Sequence, residues 1–402
     1  MKRRDLIRGF SLLPIGGAVG ASVLPFESKA SGTRKRDLFK ELGIRTFINA
    51  AGTYTFMTAS LMHESVVDTI RNTSTDFCLL DELEDKVGEK IAAMTHAEAA
   101  VVTSGAFAAL TLGCAGVLSG TDKDKVSKLP FIEGTDIKSE VIIQKAHAID
   151  YNHAFTNTGC RIVVVESVQD VESAINEKTA LMHFLNVEAD KGQIKHEEWV
   201  ALGKKHGIPT SIDIAADVPP VSNLLKFNDM GFHFVTVSGG KAMRGPQSAG
   251  LLMGKKEVIA GARMHMPPRA ANLGRGMKVN KEEILGMYVA LEHFMSMDHD
   301  KEFKEFEKRI GLIEEAARSV SGAKTKIFVP PLGNITPTLE VSWDKPGLIA
   351  KDLQEKLRVG SPSIEVISQR ENSINITVWV MKPGDEKIVA RRLKEDLSAF
   401  LA

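Results

Sequence analysis

The run Thr236-Val237-Ser238-Gly239-Gly240-Lys241 decides how this chain is read. Its β-branched residues predict a strand that stops at small residues and then presents a lysine, and Gly245-Pro246-Gln247-Ser248-Ala249-Gly250 follows. Burial at the mouth of a strand disfavours the ammonium and lowers its pKa, which makes the amine a candidate Schiff-base nucleophile. The paired glycines would let the backbone approach a planar ring and a phosphate, with the Ser238 hydroxyl beside them. The plain alternative is a solvated lysine on a Gly-rich turn.

Upstream, Gly207-Ile208-Pro209-Thr210-Ser211-Ile212-Asp213-Ile214-Ala215-Ala216-Asp217 predicts a short apolar strand closed by an acid. An aspartate at one strand end and a lysine at another is the pairing that pyridoxal 5'-phosphate (PLP) requires. The carboxylate keeps the pyridinium nitrogen protonated, so that the ring can take up electrons. Asp213 is chosen over Asp217 because it directly closes the apolar run; either acid could instead cap the segment that follows. Earlier still, Ala99-Ala100-Val101-Val102-Thr103 leads through Ser104-Gly105 into a helix opening at Ala106. Free N–H groups and the positive dipole end at that helix start predict an anion site. It lacks the spacing of a Walker or dinucleotide loop.

The order of phosphate turn, aspartate and lysine resembles fold-type I PLP-dependent enzymes of the class V aminotransferase-like group. Ile48-Asn49-Ala50-Ala51-Gly52-Thr53-Tyr54-Thr55, the segment Leu83 to Ala100, and Gly274-Arg275-Gly276-Met277-Lys278-Val279-Asn280-Lys281-Glu282 point further. They resemble the branch that contains selenocysteine synthase and D-glucosaminate-6-phosphate ammonia-lyase. The resemblance implies Lys241 as the Schiff-base lysine, Asp213 as partner of the pyridine nitrogen, and Ser104, Gly105, Ala106 and Ser238 around the phosphate. His147, which follows the strand-like run Val141-Ile142-Ile143-Gln144, would stack on the cofactor ring as a further catalytic residue, with Tyr151 and His153 as nearby polar candidates. Asn49 and Thr53 would face the substrate. Arg275 and Lys278 would bind a phosphate or a substrate carboxylate, across the subunit boundary of a homodimer.

Two positions depart from the pattern. His96 stands where the resemblance suggests glycine, and Glu365 stands where selenocysteine synthase would offer an arginine. An acid repels an α-carboxylate, which leaves Arg275 or Arg370 to bind it.

The implied activity is α,β-elimination from a glucosaminate-like hydroxy amino acid, giving a 2-keto-3-deoxy acid and ammonia. The released lysine would take the α-proton. Alternatives are a PLP-dependent lyase, transferase or aminotransferase acting on a serine- or cysteine-type amino acid, and a catalytically silent binding protein of the same fold.

Met1-Lys2-Arg3-Arg4-Asp5-Leu6-Ile7-Arg8, a mildly apolar stretch from Gly9 to Phe26 and the small-x-small run Ser28-Lys29-Ala30 resemble a twin-arginine export signal. A periplasmic location and the twin-arginine export machinery as a partner are the expectation. With 402 residues, balanced formal charge and 43% hydrophobic content, the chain can bury one large core and a satellite domain. Neutrality argues against a nucleic-acid partner, and past the signal no apolar run is long enough to make an integral membrane protein. Cys78, Cys114 and Cys160 match no metal spacing, and Cys114 reads as core.

The expected organisation is a signal over 1–30, an N-terminal arm over 31–60, a large PLP-binding domain over 61–280, a linking helix over 281–320 and a small C-terminal domain over 321–402. Strand-like runs at 99–103, 141–144, 161–165, 180–185, 209–213, 233–237 and 249–253 alternate with helical stretches. That alternation predicts an α/β fold whose mostly parallel sheet is covered on both faces, with a small C-terminal α/β domain.

Overall fold

Short Val- and Ile-rich runs bounded by turn residues become strands in a computed structural model that describes residues 36–402. The export signal read over Met1–Ala30 lies outside the described residues. Within a first unit ending at Thr46, the helix Leu38–Glu41 is capped by Asp37, whose carboxylate accepts from the Lys40 N–H at 3.1 Å. A second unit runs from Phe47 to Ala402. The predicted arm is therefore divided, because the strand β1 (Phe47–Asn49) pairs in parallel with a strand of the C-terminal region and draws Asn49 and Thr53 into the main body.

The central sheet contains β2 (Ala99–Thr103), β3 (Glu140–Gln144), β4 (Arg161–Val165), β5 (Thr179–Leu185), β6 (Thr210–Asp213), β7 (Phe234–Ser238) and β8 (Gly250–Gly254). Its order is β2-β8-β7-β6-β5-β3-β4, with β8 antiparallel to both neighbours and the other pairings parallel. Alternate residues serve two cores. Ile142, Met182, Phe184 and Val235 pack on one side of the sheet, and Val141, Ile143, Leu181 and Phe234 on the other. Coverage on both faces is what the near-continuous hydrophobicity of these strands demanded.

The C-terminal region contains β9 (Ala323–Phe328), β10 (Thr338–Trp343), β11 (Ser363–Glu365), β12 (Ile367–Arg370) and β13 (Ser373–Thr377). Four of these form an antiparallel sheet in the order β12-β13-β10-β9, and β11 pairs with β1. Leu339, Val341, Trp343, Ile374 and Ile376 bury one face of it together with Ile310, Ile313, Val389 and Leu393 of the flanking helices. The other face is polar, and it looks toward the central sheet's functional edge.

The stretch 281–320 is two helices, Lys281–Ser296 and His299–Arg318, because Asp298 caps the second by accepting from the Lys301 N–H at 2.9 Å. His96 closes the helix Leu80–Thr95 with φ +56°, the left-handed conformation for which glycine is the usual residue. Its ring is held by Asp229 at 3.0 Å.

Candidate active site

Lys241, Asp213 and the phosphate turn are placed by strand register. Asp213 ends β6 and lies opposite Leu185 on one side and Thr236 on the other. Across the adjoining strands, Ser238 lies opposite Gly250, and Gly250 opposite Thr103. The C-terminal ends of β6 and β7 and the turn Ser104-Gly105 therefore share one edge of the sheet, where open α/β sheets bind ligands.

Asp213 is buried. Its Oδ1 accepts from the Ala215 N–H at 2.8 Å and the Thr236 hydroxyl at 3.2 Å, which leaves Oδ2 for another donor. Burial pushes its pKa up, while the Ala215 N–H, Lys241 and Thr236 pull it down. Burial lowers the pKa of Lys241, and the carboxylates of Asp213 and Asp217 oppose that shift. The site thus combines a lysine driven toward its neutral form with a buried acid in need of a cationic partner.

Gly239 and Gly240 are glycine for a reason other than ligand approach. A Cβ on Gly239 would run into the Met287 sulfur, and one on Gly240 would come within 2.6 Å of the Gln247 Cα. The lysine loop is packed against protein, and the Gly245 N–H closes it by donating to the Gly239 carbonyl at 2.9 Å.

The helix Ala106–Ser119 starts at Gly105, which takes φ +91° and supplies no capping side chain. The first N–H groups of this helix are left for an anion. That open helix start, the Asp213 Oδ2 and the depressed Lys241 amine fit the phosphate, the ring nitrogen and the carbonyl carbon of PLP respectively.

Lys241 also lines a cavity of about 450 Å³ between the sheet edge and the polar face of the C-terminal sheet. Thr53, Tyr54 and Tyr151 are in its wall. Ser104, Gly105, Ala106 and Ser238 stand beside this cavity and not in its lining.

Several expected contacts are corrected. His147 does not stack over this site: the turn after β3 carries its ring fully into the core. There Nδ1 accepts from the Leu185 N–H at 3.2 Å, the ring meets Phe184 edge-on at 4.4 Å, and burial lowers its pKa to about 4. Tyr151 reaches the cavity instead, while His153 is exposed and bonded to Thr156.

Asn49 does not face a substrate. Its Nδ2 donates to Gly52 O at 2.9 Å and Ala59 O at 3.4 Å, and its Oδ1 accepts from the N–H groups of Ala51 and Gly52 at 3.0 Å. It folds the loop that presents Thr53. Arg275 and Lys278 are exposed and outside the cavity, and Arg370 is exposed near Glu340. Glu365 is buried, neutralised by Arg358 at 2.9 Å, and absent from the cavity wall, so it repels nothing there.

Sequence reasoning missed the polar wall formed by Thr336, Thr338, Gln369, Asn375 and Thr377. The signal was present in Ser373-Ile374-Asn375-Ile376-Thr377, whose alternating face is polar yet carries no charge, unlike an ordinary solvated strand face. It also placed too little weight on Asp217. That carboxylate accepts from the Gly333 N–H at 3.1 Å, its Oδ2 has no partner, and burial raises its pKa to about 6.

Relatives agree with this geometry. D-Glucosaminate-6-phosphate ammonia lyase of Salmonella typhimurium is 26% identical over 377 residues, 89% of this chain and 97% of that protein. A solved structure of D-glucosaminate-6-phosphate ammonia-lyase superimposes with a TM-score of 0.79 at 25% identity, covering 92% of this chain and 100% of the other. The 5'-C-glycyluridine monooxygenase-decarboxylase of a Streptomyces species is 24% identical, covering 92% of this chain and 94% of its own. SPT with PLP matches at a TM-score of 0.58 with 13% identity, covering 89% of each chain, a likeness of fold alone. The pattern of the family described as SelA, L-seryl-tRNA selenium transferase, matches residues 47–310. Lys241, Asp213 and the open helix start all fall inside that span, and the chain belongs to the SelA family of fold-type I, PLP-dependent enzymes.

Proposed function

We propose that this protein is a PLP-dependent carbon–nitrogen lyase that carries out α,β-elimination on a glucosaminate-like hydroxy amino acid, giving a 2-keto-3-deoxy acid and ammonia. One observation carries the reading: Lys241 is half-buried, its pKa is lowered by desolvation against the opposing charge of Asp213, and it lines a cavity rich in hydroxyl and amide groups. The likeness to D-glucosaminate-6-phosphate ammonia-lyase over nearly the whole chain supports it.

When bound, PLP supplies an electron sink for the charge left at the substrate's α-carbon. Lys241, whose ammonium is disfavoured by desolvation, would be the base for the α-proton. Asp213, fixed by Ala215 and Thr236 through Oδ1, would keep the ring nitrogen protonated when the cofactor is bound. The helix start at Ala106 would hold the phosphate with backbone N–H groups, and Ser238, opposite Gly250 in register, would add a hydroxyl.

Arg244 is the cation we assign to the substrate carboxylate. It lies three residues after the lysine, with φ +50°, and its Nε donates to the Leu61 carbonyl at 2.9 Å. No carboxylate among the described residues forms an ion pair with it, although Glu302 lines the same small space. A non-glycine residue held in this conformation is a cost that function commonly explains.

The test is release of ammonia and keto acid by the purified, PLP-replete protein from D-glucosaminate and from D- and L-hydroxy amino acids. Release from a member of the panel supports the reading, and none from any of them overturns it. The family match over 47–310 favours a second reading, transfer onto a serine- or cysteine-type substrate. The same assay separates the two, because transfer needs an added thiol or selenide and gives no keto acid.

We further propose that the protein is exported by the twin-arginine route to the periplasm and works as a homodimer in which Arg275 and Lys278 meet the partner's site. Arg3-Arg4 and the apolar run behind them support the first proposal. The exposure of that basic pair outside its own cavity supports the second. Cell fractionation with an Arg3→Lys, Arg4→Lys variant and light scattering of the purified protein test them.

A further inference from the structure

Lys241 lines two cavities. Thr336 and Trp379 belong to both, and the smaller one, of about 30 Å³, also takes in Arg244, His299 and Glu302. That volume has room for about two oxygen-sized groups. In an amino acid the carboxylate is bonded to the carbon that bears the amine, so an amine at Lys241 brings two carboxylate oxygens within reach of this space.

Arg244 is held firmly at its edge. Its N–H donates to Lys241 O at 3.0 Å, its carbonyl accepts from the His63 N–H at 3.2 Å, and its Nε donates to Leu61 O at 2.9 Å. Glu302 lies one turn after His299 on the helix His299–Arg318 and lines the same cavity. Burial is the larger effect on both groups, raising the pKa of Glu302 and lowering that of Arg244, and each charge then opposes the other's shift. They do so across a gap, with no ion pair between them among the described residues. An Arg–Glu pair that served only the fold would close that gap, since direct contact is where such a pair is strongest. Glu302 does not serve Lys241 either, whose opposing carboxylates are Asp213 and Asp217.

A ligand carboxylate in the gap neutralises Arg244 and meets Glu302. Two carboxylates at that range do not both stay ionised, and the one that burial already disfavours takes a proton. The other titratable groups facing Glu302 are bases. His299, on its own helix, is bonded through Nε2 to Phe294 O at 2.8 Å. His293 comes from the helix Lys281–Ser296, with the His63 ring against it at 4.1 Å.

We infer that Glu302 is a specificity-determining residue: a carboxylate held by Arg244 is admitted together with one proton from solvent, which Glu302 carries and donates in a hydrogen bond to a carboxylate oxygen. The inference rests on the reading in which Arg244 binds the substrate carboxylate, and adds the acid that shares it.

The experiment titrates the PLP-loaded protein with D-gluconate, which has the carboxylate and no amine. Calorimetry in two buffers of different ionisation heat, from about pH 5 to about pH 9, counts the protons taken up. Wild type should take up as much as about one proton per D-gluconate and lose up to about tenfold in affinity per pH unit across the same interval. Glu302→Gln, whose amide still donates a hydrogen bond, should take up none and bind D-gluconate about tenfold or more tightly than wild type at about pH 8. Arg244→Gln should weaken D-gluconate by about tenfold or more.

Uptake that persists in Glu302→Gln assigns the proton to His293 or His299 and overturns the inference. A wild-type affinity that is flat with pH, or no binding at all, also overturns it. Should Glu302→Gln not fold, Glu302→Ala is read for the same loss of uptake. Arg244→Gln binding as tightly as wild type overturns the assignment of Arg244 itself. Ammonia released from the amino acid panel, with D-gluconate binding that ignores pH, keeps the lyase reading and sinks the inference. Linked proton uptake without ammonia release does the reverse.

Discussion

Ser60 and Gly240 are joined twice: the Ser60 hydroxyl donates to the Gly240 carbonyl at 2.7 Å and the Ser60 N–H donates to the same oxygen at 3.2 Å. Beside them the His63 N–H donates to Arg244 O, and Arg244 Nε returns a bond to Leu61 O. The segment 60–63 therefore straps the loop that carries the lysine. Ser60→Ala keeps the backbone bond and loses the hydroxyl, so it should cost about 1 kcal/mol of stability. Thermal unfolding checks this, and cofactor absorbance should be retained.

Lys241→Ala should abolish borohydride-fixed cofactor and lower turnover by at least about a hundredfold, since the variant loses both the covalent attachment and the general base. Absorbance after reduction and dialysis measures the first effect, and ammonia release the second.

Asp217 gives a pH signature. Its folded pKa, raised by burial to about 6 from an ordinary 3.8, makes its contribution to stability most favourable below about pH 4. That contribution is lost as pH rises through about 6. At pH 8 the shift corresponds to about 3 kcal/mol of destabilisation. Asp217→Asn, which can still accept from the Gly333 N–H, should stabilise the cofactor-free protein at pH 8 by up to that amount and leave it unchanged near pH 4. Denaturant midpoints across this range test the sign.

Arg358 is the partner of a buried acid. Arg358→Ala leaves the Glu365 carboxylate without the bonds at 2.9, 3.1 and 3.0 Å that neutralise it, and should cost about 3 kcal/mol. Because neither residue lines the cavity, KM should stay near the wild-type value.

Tyr151 and His147 separate a site residue from a core residue. Tyr151→Ala removes part of the cavity wall and should raise KM by about tenfold with little change in thermal stability. His147→Ala removes a buried ring and the acceptor of the Leu185 N–H. It should lower stability by about 3 kcal/mol while leaving KM unchanged.

The strands and the residues at their ends were legible because each depends on local pattern. Val- and Ile-rich runs of strand length, punctuated by turn residues, give β2 to β8 to within a residue. A parallel sheet then leaves its strand ends as the place for Asp213 and Lys241. Asn49 and His147 were misjudged because a polar residue near such an edge looks alike whether its bonds go to a ligand or to backbone. Asn49 bonds to Gly52 and Ala59, and His147 bonds to Leu185; only the folded chain shows which partners are within reach.

The sequence alone determined the α/β class and the positions of Lys241, Asp213 and the helix start at Ala106 relative to the strands, since hydrophobic period and turn chemistry are written in neighbouring residues. Tertiary structure decided what the lysine faces. Thr53 from the start of the main body, Tyr151 from a loop after β3 and Asn375 from the C-terminal sheet meet across one cavity. No local pattern encodes that meeting, because it depends on strand pairings such as β1 with β11 that join the two ends of the unit.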